Sequence, residues 1–318
     1  MSTTELLQEQ GQEFDAGLVD SIDQSSVEGG GPSYPLIQWV LGDLKAKKFG
    51  GMDYQGGLFV KADKVDGDTL AAAGWTKTER TFESGASEEG FYKREAAVSI
   101  IAERKRWEIN ENGQRRTFPW NAFDKAKEAS GGKNPSSRTQ YLVLVKGLEN
   151  VGPFVLTMKG ASGAAFESYR DAGSVISRFA NTVIRAANAA SDAAAKKQNK
   201  PGGKKWAYRA FWLPFGAARN EKGEPVYKEV GKAPNTTNVV LPVALGLPDK
   251  AEQVDLKRFY VGNDLLTTVN DLFDAAADWR AAWDNLKPGA VEGNGDAAQA
   301  EAQAEADKED AALAATGL

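Results

Sequence analysis

From Lys196 to Arg209 the chain carries Lys196, Lys197, Lys200, Lys204, Lys205 and Arg209, and no acid. The same stretch runs into Trp206, Tyr208, Phe211 and Trp212. Cations attract phosphates and flat aromatic faces stack on bases, so this pairing has the chemistry of single-strand capture. If Trp206 to Leu213 is a strand, period two puts Trp206, Tyr208 and Trp212 on one face and Arg209 and Phe211 on the other. The bland reading is a core of aromatics beside a solvated lysine loop. A second cluster is Arg104, Lys105, Arg106 and Trp107, followed by Arg115, Arg116, Phe118 and Trp120. The turn signal Asn110-Glu111-Asn112-Gly113 brings both groups to one end of a hairpin, as a positive rim with aromatics beside it. Glu103, Glu108 and Glu111 supply the competing reading, ion pairs on a solvated hairpin.

Other chemistries are excluded or thinly supported. The chain has no Cys and no His. A disulfide framework, a thiol nucleophile, a Cys-ligated zinc or iron–sulfur site, a His-dependent triad and an imidazole base are therefore all excluded. Gly131-Gly132-Lys133-Asn134-Pro135 fails as a phosphate loop, because Ser or Thr must directly follow the Lys. Gly160 to Gly163 reads as a strand-to-helix turn. Asp63, Asp66 and Asp68 fit no calcium loop, and Asp271, Asp274 and Asp278 mark the wet side of a helix. No catalytic residue, metal ligand or cofactor is assigned.

The elements that must position these residues come in blocks. Strands are expected at Gly57–Val60, Trp75–Phe82, Gly90–Ile109 (a hairpin or one long bent strand), Trp206–Leu213, Val226–Val230 and Val239–Leu245. Pro242 makes the last an edge strand or a bulge. Tyr141–Val145 and Phe154–Met158 flank a turn-rich connection and predict an antiparallel hairpin. Ser162 to about Lys197 reads as two helices divided at Gly173-Ser174, with Ser174 as an N-cap. Leu265, Val269, Leu272, Ala276, Trp279, Trp283 and Leu286 predict one long amphipathic helix over 263–286. The blocks give an α+β class with a mostly antiparallel sheet, or an oligonucleotide-binding-type (OB-like) barrel elaborated with helices.

Charge divides the chain into three. Residues 1–31 form an acidic arm with seven Asp and Glu and no Lys or Arg, closing at Gly29-Gly30-Gly31. Residues 287–318 form an acidic, Ala-rich tail that cannot bury enough apolar surface to order itself. The body, 32–286, holds 37 Lys and Arg against 30 Asp and Glu, a net of +7 inside a chain of net −5. The pI near 5.2 conceals this basic body. No signal-peptide pattern and no membrane-length apolar run is present, so the expected setting is cytoplasmic, with no membrane partner.

A basic, aromatic body ending in an acidic tail resembles the single-stranded DNA-binding proteins of phages and bacteria. The resemblance implies a barrel that holds the strand in DNA replication and a tail that contacts partner proteins. This tail ends Ala314-Ala315-Thr316-Gly317-Leu318, where those proteins end in acids closed by an aromatic. The expectation is a non-enzymatic binder of single-stranded nucleic acid, acting by electrostatic tracking and stacking. The alternative is a virion or scaffold protein that forms a homo-oligomer through the C-terminal helix. A carboxylate and Mg²⁺-dependent nuclease is third.

Overall fold

The computed structural model describes residues 34–40, 56–81, 87–111, 114–168, 171–232 and 235–291. The arm 1–31 and the tail from Glu292 onward lie outside the described residues. The first strands are β1 (Leu36–Val40) and β2 (Gly57–Lys61). Helix α1 (Gly67–Ala72) starts at Asp66, whose carboxylate accepts from the Thr69 N–H at 2.8 Å and is lowered in pKa by its bonds to Thr69. The acidic run at Asp63–Asp68 thus caps a helix. Next come β3 (Thr76–Thr81) and β4 (Ser87–Lys93), then β5 (Glu95–Glu111), which extends for 17 residues. β6 (Gln114–Pro119) returns along it, with Glu111 opposite Gln114, at the turn expected from the sequence.

Helix α2 (Phe123–Ala129) leads to β7 (Ser136–Val145) and β8 (Phe154–Lys159), the expected antiparallel hairpin. Helix α3 (Gly160–Glu167) follows directly. Ser174 then caps α4 (Val175–Phe179), its Oγ accepting from the Ser177 N–H. α4 continues through a π-helical turn, Ala180–Ile184, into α5 (Arg185–Lys197). The remaining elements are β9 (Leu213–Ala217), β10 (Tyr227–Lys232), β11 (Asn235–Val240), β12 (Pro242–Ala244), α6 (Leu256–Phe259), α7 (Asn263–Ala275), α8 (Ala277–Ala281) and β13 (Ala290–Val291).

The main sheet has eleven strands along the path β12-β9-β5-β7-β8-β1-β2-β4-β3, with β6 and β13 branching from β5. All its pairings are antiparallel except β1 with β8. The path has two ends, so the sheet is open and not a closed barrel. Pro242 sits in β12, the edge strand at one end, where its missing N–H disrupts no ladder. The 90–109 region resolves into β4 and β5, which pair with different neighbours. β10 and β11 form a separate ribbon.

One face of the sheet carries Ile37, Leu58, Val60, Tyr141, Val143, Phe154, Leu156 and Met158 against Phe166, Val175, Phe179 and Val183 of the helices. Each fully buried Leu or Phe contributes roughly 1.5–3 kcal/mol. The other face packs Ile101, Ala102, Leu142, Leu144 and Val155 against Val269, Ala276 and Trp279 of the C-terminal helices. The long helix expected over 263–286 is interrupted: α7 ends at Ala275, and fully buried Ala276 turns the chain at ψ 13°. Its apolar stripe lies on the chain's own sheet. The stripe expected to form an oligomer interface therefore packs, in good part, within the chain.

Candidate nucleic-acid interface

Strand β5 sorts the basic cluster by alternation. Arg104, Arg106 and Glu108 face the C-terminal helices, while Lys105 and Trp107 face the opposite way. Arg104 donates to Gln140 Oε1 at 2.7 and 2.9 Å, and its guanidinium lies 4.3 and 4.4 Å from the Trp279 and Trp283 rings. Burial, then neighbouring Arg106 and Arg138, lower its pKa to about 9. Arg106 is 5% exposed, bonds Glu108 Oε1 at 2.6 Å and lies 4.5 Å from the Trp283 ring. Arg138 and Arg115 reach the same carboxylate at 3.1 and 3.7 Å. Burial raises the Glu108 pKa, but the charges of Arg106, Arg138, Lys159 and Arg115 outweigh it and hold the group well below the carboxylate range. Arg116 pairs with Glu111 at 2.9 Å and donates to the Gly289 carbonyl. The positive rim expected at this hairpin is therefore largely turned inward, onto one carboxylate and two indoles.

The other face of β5 has a different character. The Trp107 ring stacks on Trp120 at 4.1 Å and 9°, and its Nε1–H donates to the Trp120 carbonyl. Trp120 is 41% exposed. Lys105 Nζ lies 5.8 Å from the Trp120 ring and pairs with Glu167 at 2.5 Å and Glu103 at 3.6 Å. Tyr141 donates its hydroxyl to the second Glu167 oxygen. Burial, then the Glu167 charge, raises the pKa of Glu103.

Beside these carboxylates lies a cavity of about 320 Å³. It exists because β9 pairs β5 only over Glu95–Val98 and β6 only over Arg106–Glu111. Between them, that edge of β5 carries no ladder partner among the described residues. The gap is walled by Ile100–Glu103 of β5, Tyr208 and Arg209, Glu167, and Phe273 and Arg280 of the C-terminal helices. The guanidiniums of Arg209 and Arg280 lie 4.2 and 3.9 Å from the centre of the Phe273 ring.

The lysine-rich segment approaches the same cavity. Lys196 and Lys197 end α5, and Lys200, Lys204 and Lys205 follow in an exposed loop. That loop folds back on α5: Asp192 accepts from the Gly203 N–H and Lys205 Nζ, both at 3.0 Å, and Asn188 accepts from the Trp206 N–H. The strand expected from Trp206 is absent. Tyr208–Ala210 is a 3₁₀ turn, and β9 begins only at Leu213. The reason is bonding to distant segments: Ser99 Oγ donates to the Arg209 carbonyl, and the Trp212 N–H donates to Phe259 O. The aromatics therefore separate. Trp206 is 36% exposed, with its ring edge-on to Phe211 and Tyr260, while Tyr208 packs on Phe179 and Trp212 is buried. Arg209 also bonds Asn270 Oδ1 at 2.7 Å.

Sequence reasoning missed Glu167, Tyr141, Phe273 and Arg280, which arrive from four separate elements without a shared local signal. Arg138 and Lys159 were legible in principle, since they close the open end of the expected hairpin. Among the described residues, no group of three or more acidic side chains is placed to hold a metal ion. No helix among them is long and apolar enough to cross a membrane. No protein-family model, curated protein or solved structure matches this chain.

Proposed function

We propose that the protein binds single-stranded nucleic acid along the face of β5 that bears Trp107 and Lys105. The observation that carries this reading is the placement of the two exposed indoles. Trp120 stands beside Lys105, which bonds the cavity wall at Glu167. Trp206 precedes Ala207, which lines the same cavity. Indole faces stack on any base, and single-strand binders set such faces along a cationic track. Arg209 and Arg280 line the cavity, and Lys196, Lys197, Lys200 and Lys204 stand exposed at the Trp206 end. In this reading Arg104, Arg106 and Arg115 hold the sheet together around Glu108 and do not meet the strand. The mode is binding without chemistry, with stacking and phosphate attraction as its two contributions.

The test is fluorescence anisotropy of a labelled thymidine 12-mer over a series of salt concentrations. Binding should weaken steeply as salt rises. Trp120→Ala and Trp206→Ala should each cost roughly 1–3 kcal/mol, the worth of one stacked base, with little change in salt slope. An oligonucleotide that stays free at low salt with protein in excess refutes the reading.

A further inference from the structure

We infer that the cavity beside β5 takes one base of the bound strand and favours a base that carries an exocyclic amino group. This rests on the single-strand reading above. The cavity's volume, about 320 Å³, lies at the small end of ligand sites, suited to one nucleotide unit and too small for a duplex.

Its lining is amphoteric. Two groups line it: Glu103 and Glu167, which share Lys105, and Arg209 and Arg280, which share the Phe273 ring. A simple amine would meet Arg209 and Arg280 as like charges. A simple anion would meet the carboxylates. A nucleotide with an amino-bearing base satisfies both groups: its amino group donates to a carboxyl oxygen, and its phosphate meets the guanidiniums.

The carboxyl partner is Glu103. Both oxygens of Glu167 are engaged, one by Lys105 and one by Tyr141. Glu103 meets Lys105 through one oxygen at 3.6 Å, and its side chain is 47% exposed. Thymine and uracil flank their N3–H with two carbonyls, which set oxygen against oxygen at this wall. Ile100 and Ile101 add apolar lining, and the Phe273 ring carries the two guanidiniums.

The experiment compares labelled dC 12-mer and dT 12-mer by anisotropy. Both are pyrimidine strands with weak self-stacking. Wild-type protein should bind the dC strand about tenfold more tightly, the worth of one hydrogen bond to a carboxyl group. Glu103→Leu should bring dC affinity down to the dT level while preserving the salt slope. Ala207→Phe, which fills the cavity without altering charge, should abolish the preference too, and it carries the test if Glu103→Leu melts early. Equal wild-type affinities for dC and dT overturn the base pocket and leave single-strand binding intact. A preference that survives in both folded variants also overturns it. Failure of both strands to bind at low salt overturns the underlying reading instead.

Discussion

Glu108→Gln should destabilise the protein severely, because it removes the charge of a buried carboxylate that three guanidiniums share. Arg106 reaches Glu108 at 2.6 and 2.8 Å, Arg138 at 3.1 Å and Arg115 at 3.7 Å. Glutamine keeps the shape and removes the charge, so these cations lose the negative partner they share. Removing one partner of a buried ion pair costs about 3–5 kcal/mol. That is a large share of a typical total stability of roughly 5–15 kcal/mol. The pH dependence has a definite sign. The Glu108 pKa is depressed in the folded state, so its stabilisation is fully present above the unfolded value, near 4.5, and is lost as pH falls toward the folded value. Urea melts of wild type and Glu108→Gln should therefore differ by a constant amount from pH 7 to pH 5 and converge below about pH 4.5. The double variant Arg106→Met with Glu108→Leu should recover part of the loss, since an apolar pair replaces a broken ionic one. A Glu108→Gln variant within about 1 kcal/mol of wild type at pH 7 would refute the reasoning. So would a gap that widens on acidification.

The remaining predictions concern backbone, charge and the tail. Gly90→Ala should lose about 3 kcal/mol in the same melts, because a Cβ there would lie 2.2 Å from the Phe59 ring and 2.4 Å from the Val60 carbonyl. Gly163→Ala, inside α3, meets Met158 only at an ordinary 3.6 Å and should gain about 0.5–1 kcal/mol through helix propensity. Replacing Lys196, Lys197, Lys200 and Lys204 together by Ala should leave the melt unchanged. The slope of log affinity against log salt should shrink by up to about 3, at ~0.7 per lost contact with a single strand. A chain ending at Val291 loses seven acids and one lysine, a net of −6, and should bind oligonucleotides more tightly at low salt, with the gain fading near 1 M. A chain ending at Leu286 also loses β13 and the Gly289 carbonyl that accepts from Arg116, so its melt should fall by about 1–2 kcal/mol.

Local signals were legible wherever a few neighbouring residues decide the outcome. The chain reversal that pairs Glu111 with Gln114, the 139–159 hairpin, the Ser174 cap and the edge position of Pro242 all follow from backbone chemistry within a short window. The sheet's openness is different in kind, because closure depends on which strands meet. Local composition says little about that. Trp206–Leu213 failed for the same reason. Its aromatics favour a strand, but its backbone groups find partners at Ser99 and Phe259, far away in sequence. The stripe from Leu265 to Leu286 has helical spacing, yet packing against Leu142, Leu144 and Val155 breaks it at Ala276.

The cluster Arg104-Lys105-Arg106-Trp107 concentrates this limit in four residues. As a string it reads as one basic-aromatic motif. On a strand it becomes two half-motifs that cannot act together. Arg104 and Arg106 go to the side where Trp279 of α8 and Trp283 just beyond it supply indoles and β7 supplies Gln140 and Arg138, and they are used up there. Lys105 and Trp107 go to the side where β6 hands over to Trp120, which stays exposed. Net charge counted along the chain therefore overstates the cations available to a ligand at this hairpin. A run of exposed cations lies instead in the Lys196–Lys204 segment, which α5 holds through Asp192. The proposed interface thus joins one half of the first cluster to the loop of the second across the gap in β5. That gap exists because β5 is longer than β6 and β9 can cover. The feature that makes the site is a strand's length relative to its neighbours, which only the assembled sheet defines.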